Sequence, residues 1–534
     1  MLAALSLILA ATQALPQASY DVVIRGARVA DGSGNPTYLA DVAVARGLIV
    51  KVGRVEGKGL EEIDGAGKVL APGFIDVHTH SEDVTDIPGV TNYLRMGVTS
   101  LVTGNCGGSA LDVAAFLKDV DNKHVSLNVA TLIGHNTVRR KAMGGDFDRA
   151  PSASELTAME KMVDQAMSDG AVGLSTGLIY MPGTFSKTDE IATLAKVAGP
   201  YGGIYASHMR SEGTQLLESI AEVIAICKAS GCRGEISHIK ASGNASWGKS
   251  VQALALIERA RAEGIELTQD QYLYTASSTS LNQTIPDWAK EGGHEEFKKR
   301  LADPALKARM ATEMKEMLAR NARSDYTYAV IASCRSDKTL NGKSVPQAAK
   351  QRLGRDDIDA QIETILEIEK AGGASGVFHG MSEDDVRKYL AHPNTMFASD
   401  GGPKEIGDTV PHPRSYGNNA RALGLYVREL GLLRLEDAVR RMTSLPAQTF
   451  RIKDRGWVRE GLAADLVLFD PATVTEHATF ADPHKYATGF AVVMVNGVVV
   501  VREDVHTGAK PGKALRLRGG SVGAEASPDA SHTR

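Results

Sequence analysis

The chain has 534 residues, 43% of them hydrophobic and 23% charged, with a formal net charge of −4; this is the balance of an ordinary globular protein, long enough for a large catalytic unit plus an accessory piece. It leaves no cationic surplus for nucleic acid and no apolar run long enough to span a bilayer. Four cysteines, at 106, 227, 232 and 334, are too few for a disulfide scaffold, so each thiol is read on its own.

The apolar stretch Met1–Ala11, followed by small residues between Ala14 and Ala18, reads as a signal peptide over residues 1–18 and predicts export to the periplasm or medium, with the cytoplasm as the alternative if it is only an extension. Residues 19–70 run in short alternating apolar stretches broken by glycine and Asn-Pro. The same texture returns in 455–510, where Asn496–Gly497 marks a hairpin turn. The two segments are expected to pair into one small β-sandwich domain. Gly519–Arg534 lacks apolar periodicity and reads as a disordered tail.

Between the two β segments, residues 71–454 alternate β-branched runs with helical patterns, the signature of a parallel sheet with crossover helices. Eight runs qualify as strands: 73–80, 98–106, 126–135, 171–180, 202–209, 234–240, 265–274 and 394–400. Eight suit an α/β fold of the (β/α)8 TIM-barrel type. Ser152 three residues before Glu155 predicts a capping box, while Gly231 and Gly264 predict helix ends. The charged, helical interval at about 286–376 breaks the rhythm and reads as an insertion between the seventh and eighth strands, placed to act as a lid.

In such a barrel, functional side chains project from the C-terminal ends of the strands. The first run ends in His78-Thr79-His80, the second in Cys106, the fifth in His208, the sixth in His238 and the eighth in Asp400. Imidazole and thiolate are preferred ligands of zinc. His78 and His80, two apart on a strand, share a face. His208 and His238 are one βα repeat apart, and Cys106 lies between glycines in GNCGG. Asp400 is the candidate general base and acid, and Arg414, in the constrained HPRSYG segment, is a candidate for a substrate carboxylate. His135 and His379 are candidates for outer partners, and Cys227 and Cys232 for unpaired thiols or, in an exported protein, a disulfide.

The runs PGFIDVHTHSE, GNCGG, GLSTGLIYMPG, SHMRSEG, EISHIKASG, DQYLYTASST and SDGG followed by HPRSYG resemble the N-acyl-D-amino-acid deacylase (D-aminoacylase) branch of the amidohydrolase superfamily, over about Tyr20 to Val501. The resemblance implies zinc-dependent hydrolysis of N-acyl-D-amino acids. It implies one tightly bound zinc on Cys106, His208 and His238, a weaker second position at His78 and His80, and Asp400 as acid/base. It further implies Arg414 on the substrate's α-carboxylate, with Lys240, Tyr272, Tyr274 and Ser278 as weaker candidates nearby. YLY stands where the family more often has YPY, and SYGNNAR follows HPR in place of the commoner continuation, so pocket shape can differ. Cyclic-amide hydrolases of the hydantoinase or dihydroorotase kind, dipeptidases, and a catalytically silent scaffold are the competing readings. The expected partner is a small N-acyl amino acid; nothing in the sequence indicates the oligomeric state.

Overall fold

The computed structural model describes residues 19–517, so the expected signal peptide and the expected disordered tail both lie outside the described residues. Every run singled out as a strand is one. In chain order these are β6 (Phe74–Asp76), β7 (Val98–Thr103), β8 and β9 (Asn128–Thr131 and Ile133–Gly134), β10 (Gly173–Gly177), β11 (Ile204–His208), β12 (Arg233–Ile236), β13 (Leu267–Gln271) and β17 (Thr395–Phe397), after an N-terminal group β1 to β5. β6, β7 and β8 form one parallel ladder, and β9 to β13 with β17 form another.

Only Leu132 separates β8 from β9. At the other seam, the end of β17 meets the end of β6: Thr79 and Gly401 form a parallel bridge, His80 donates its amide to Gly401 O at 2.7 Å, and Asp400 donates to His78 O at 2.9 Å. The Asp76 carboxylate also accepts the Ser399 amide at 3.0 Å. β6, β7, β10 and β11 are buried along their whole length, as expected when both faces of a parallel sheet are covered. Their apolar side chains share a core with the crossover helices.

The capping box of Ser152 and Glu155 opens the helix Ala153–Ser168. Gly231, at φ 68°, closes Leu216–Ser230 in the left-handed conformation that glycine adopts without strain.

The terminal segments join in one sheet. β1 (Tyr20–Val29), β2 (Tyr38–Ala45), β3 (Leu48–Gly53), β4 (Gly59–Asp64) and β5 (Val69–Pro72) combine with β18 (Leu466–Phe469), β19 (Phe490–Val495), β20 (Val498–Arg502) and β21 (Val505–His506) into one nine-stranded sheet. The junction is the antiparallel pair β5–β18. Val22, Ile24, Val42, Leu466, Leu468 and Met494, drawn from both segments, are buried in a common core.

The insertion differs from the sequence reading. It contains the expected helices, among them His294–Ala302, Pro304–Arg320 and Ile358–Lys370, around a separate core. It also holds a three-stranded antiparallel sheet of β14 (Ala276–Ser280), β15 (Ala329–Cys334) and β16 (Ala374–His379), so the departure from the βα rhythm begins at Ala276.

Candidate metal centre and active site

The six strand-end residues converge. Cys106 Sγ lies 3.3 Å from His78 Nε2, 3.5 Å from His208 Nδ1 and 3.5 Å from His238 Nε2. On the open side, Asp400 Oδ1 is 3.2 Å from His80 Nε2 and 3.7 Å from His78 Nε2. His78, Cys106, His208, His238 and Asp400 are all buried, and only His80 is substantially exposed, at 45% of its side chain.

Backbone geometry serves this convergence. Cys106, His238 and Asp400 have φ of 53°, 36° and 50°, a region that costs about 1–3 kcal/mol for such residues and persists only where surrounding structure enforces it. The turn that presents Cys106 needs its glycines: a Cβ on Gly104 would meet Leu132 O at 2.3 Å, and one on Gly107 would meet Asn136 Oδ1 at 2.2 Å.

Two carboxylates behind the imidazoles escaped the sequence reading. Asp270, on β13, contacts His78 Nδ1 at 3.2 Å and accepts the His238 amide at 3.0 Å. Glu212 lies 2.8 Å from His238 Nδ1 and 4.0 Å from His208 Nε2. Each therefore faces the nitrogen turned away from Cys106 or Asp400, the arrangement that fixes the tautomer and orientation of a ligating histidine. The only available signals were Glu212 four residues after His208 and an acidic residue inside the buried run LTQDQ.

The electrostatics follow from burial. Burial first, then His238 and Lys240 for His208, and Lys240 and His78 for His238, hold both well below the ordinary histidine range, so both are neutral at pH 7. Burial pushes the Cys106 thiol well up. Burial also opposes the charge on Asp400, but Arg414 and the surrounding histidines outweigh it and hold that carboxyl well below its usual range.

Arg414, the first residue of the helix Arg414–Arg421, places Nη1 2.9 Å from Asp400 Oδ2, and its guanidinium lies over the Tyr272 ring at 4.5 Å. Lys240 Nζ is 2.7 Å from His238 Nδ1 and is ion-paired with Glu212, with Tyr272 5.5 Å away. Ser278 contributes its carbonyl, 3.4 Å from Arg414 Nη2. Tyr274 stands apart, packed on His412 and Arg421 instead. Tyr180, not singled out from sequence, sets its ring 4.9 Å from that of His208. His135 is engaged with Glu190 at 2.9 Å, and His379 packs on Phe480, so neither backs the cluster. Cys227 and Cys232 are buried and unpaired.

Two cavities flank the cluster. One of about 610 Å³ is lined by His80, Cys106, Asn136, Tyr180 and Met181. The other, about 1040 Å³, reaches Glu212 and is walled by Ile285, Trp288 and Met317 of the insertion. The insertion thus borders the site.

The donor set fits zinc. Zn–S near 2.3 Å and Zn–N near 2.0 Å at tetrahedral angles put sulfur and nitrogen about 3.5 Å apart, which is the spacing around Cys106. His78, Cys106 and His238, and separately His78, His80 and Asp400, bring their ligand atoms within 4.8 Å of one another.

Comparison with known proteins agrees with this chemistry. Residues 61–501 match the amidohydrolase family. The chain is 34% identical to an N-acyl-D-glutamate deacylase of Alcaligenes xylosoxydans xylosoxydans, over 95% of this chain and 99% of the relative. A solved D-aminoacylase, described for its binuclear metal centre with one-metal activation and second-metal attenuation, superposes with a TM-score of 0.80 at 33% identity, covering 93% of this chain and 100% of that one. An N-acyl-D-glutamate deacylase from Bordetella bronchiseptica, solved with zinc and a phosphonate mimic of the tetrahedral intermediate, gives 0.79 at 32% identity, with 93% and 99% covered. The chain belongs to the amidohydrolase family, in its N-acyl-D-amino-acid deacylase branch.

Proposed function

We propose that the protein is a zinc-dependent amidohydrolase that cleaves the acyl-amide bond of N-acyl-D-amino acids to a carboxylate and a free D-amino acid. The observation that carries this reading is one thiol ringed by three imidazoles, with a carboxylate and a guanidinium paired on the open side. As architecture we propose a closed (β/α)8 barrel over 71–454 and a β-sandwich from 19–70 and 455–510. The seam between β6 and β17 supports the first, and the core shared by both terminal segments supports the second.

Cys106, His208 and His238 would hold the tight zinc, and His78 and His80 a weaker second ion. Bound there, zinc supplies a Lewis acid for the acyl carbonyl and makes water nucleophilic near neutral pH. Asp400 accepts the proton of the attacking water and returns it to the leaving nitrogen. Arg414 offers a guanidinium fork to the substrate α-carboxylate, and Tyr272 stiffens it by stacking. Glu212 and Asp270 keep the imidazoles oriented with their lone pairs inward. The insertion limits water at the mouth.

The test is a panel of N-acyl-D- and N-acyl-L-amino acids, hydantoins and dipeptides, assayed with zinc-loaded protein. Release of D-amino acids with little from the L series is expected. Turnover of hydantoins or dipeptides without deacylation would overturn the reading.

A further inference from the structure

At the opposite end of the parallel strands lies a cleft that the deacylase chemistry does not use. It has a volume of about 620 Å³, and Val172, immediately before β10, lies in its wall. The ligand cluster is at the C-terminal ends of those strands, so the two sites lie at opposite ends of the strand axis. Arg46, Arg451, Lys453, Arg455, Lys513 and Arg516 line the cleft, with Asp454 as the one acidic side chain among the lining residues. This concentration of positive charge occurs on a chain whose formal net charge is −4.

Two of the six cations are neutralised locally. Arg455 pairs with Asp454 and Asp465, and Arg516 with Asp121 at 2.8 Å. Arg46, Arg451, Lys453 and Lys513 have no carboxylate within ion-pair distance among the described residues. Two of these four are presented by strained backbone: Arg46, in the turn between β2 and β3, has φ 53°, and Arg451, just past the helix Ser444–Thr449, has φ 54°. Neither is glycine, so the left-handed conformation costs stability that glycine would avoid. The Arg451 guanidinium lies against Gly202, where a Cβ would meet its Nη1 at 2.0 Å. Like charges gathered in one concavity repel, and a bound anion relieves that repulsion.

We propose that this cleft binds a small polyanion bearing two or more phosphoryl groups, held by Arg46, Arg451, Lys453 and Lys513. Guanidinium forks match paired phosphate oxygens, and ammonium groups add point charge. Four cations without a carboxylate partner among the described residues exceed what a single carboxylate neutralises, and the volume accommodates a ligand larger than one phosphate.

The proposal is tested by isothermal titration of zinc-loaded full-length protein with pyrophosphate, at fixed ionic strength near 0.15 M, beside Lys453→Glu/Lys513→Glu. Both lysines are exposed and lie outside the deacylase site, so the variant is expected to keep its melting temperature and deacylation rate. Saturable binding to the wild type, weakened at least about tenfold in the variant, is expected. Absence of saturable binding, equal affinity in the variant (as pyrophosphate on the zinc centre would give), or the same response to added sulfate or sodium chloride would each overturn it.

Discussion

Replacing Asp400 by asparagine keeps the shape of the side chain and removes its charge. Two effects follow from its contacts. Arg414 is 3% exposed and has Asp400 as its carboxylate partner at 2.9 Å, so the variant strands a buried guanidinium without a counter-charge, at a cost of about 3–5 kcal/mol of folding stability. The proposed proton carrier is lost as well, which lowers kcat by about 10²–10⁴-fold. The proposed tight-zinc donors are untouched, so zinc content is expected to stay near one per chain. Steady-state deacylation at 25 °C, scaled to folded protein, is read beside elemental zinc analysis and a melting curve. A kcat within threefold of wild type with zinc retained would refute Asp400 as the proton carrier. Loss of the zinc would instead make Asp400 a ligand and refute the separation of roles drawn above.

Three further perturbations probe the surroundings of the site. Arg414→Lys keeps a positive charge beside Asp400 but loses the fork, so kcat/KM for N-acyl-D-amino acids falls by about 10²-fold while a substrate with its carboxylate amidated is little affected; equal losses on both substrates would contradict the carboxylate role. Glu212→Gln removes the carboxylate behind His238 and His208, and zinc affinity measured by chelator competition is expected to fall about 10–100-fold; unchanged affinity would leave Glu212 without that function. Burial, then Arg414, holds His412 well below the ordinary histidine range, while its Nε2–H donates to Ala276 O at 2.8 Å. The unfolded histidine takes up a proton below about pH 6.5 that the folded one refuses, so this contribution is full above that pH and declines as pH falls, by up to about 1.4 kcal/mol per unit. Urea unfolding of His412→Gln is expected to show a pH slope shallower by one proton between pH 6 and 5; an unchanged slope would contradict it.

The parallel strands were legible because burial on both faces leaves continuous apolar runs, and the donors were legible because each ends such a run. Glu212 and Asp270 were not. A carboxylate turned behind an imidazole is written in sequence like any other acidic residue, and only the fold brings Asp270 to His78, 192 positions away. Nor was the sheet in the insertion: β14 is the Ser/Thr-rich ASSTS, and it pairs with β16 nearly a hundred positions on, where local pattern carries no register. Tyr274 shows the converse limit. Motif proximity grouped it with Tyr272, but two residues along an irregular segment turn its ring toward Arg421.

The proposed site includes a thiolate among the ligands of the tight ion. X-ray absorption at the zinc edge, on protein reconstituted with one equivalent of zinc, reads this directly. One sulfur near 2.3 Å with nitrogen or oxygen near 2.0 Å is predicted, with the sulfur shell absent in Cys106→Ser. A first shell of nitrogen and oxygen alone in the wild type would contradict it.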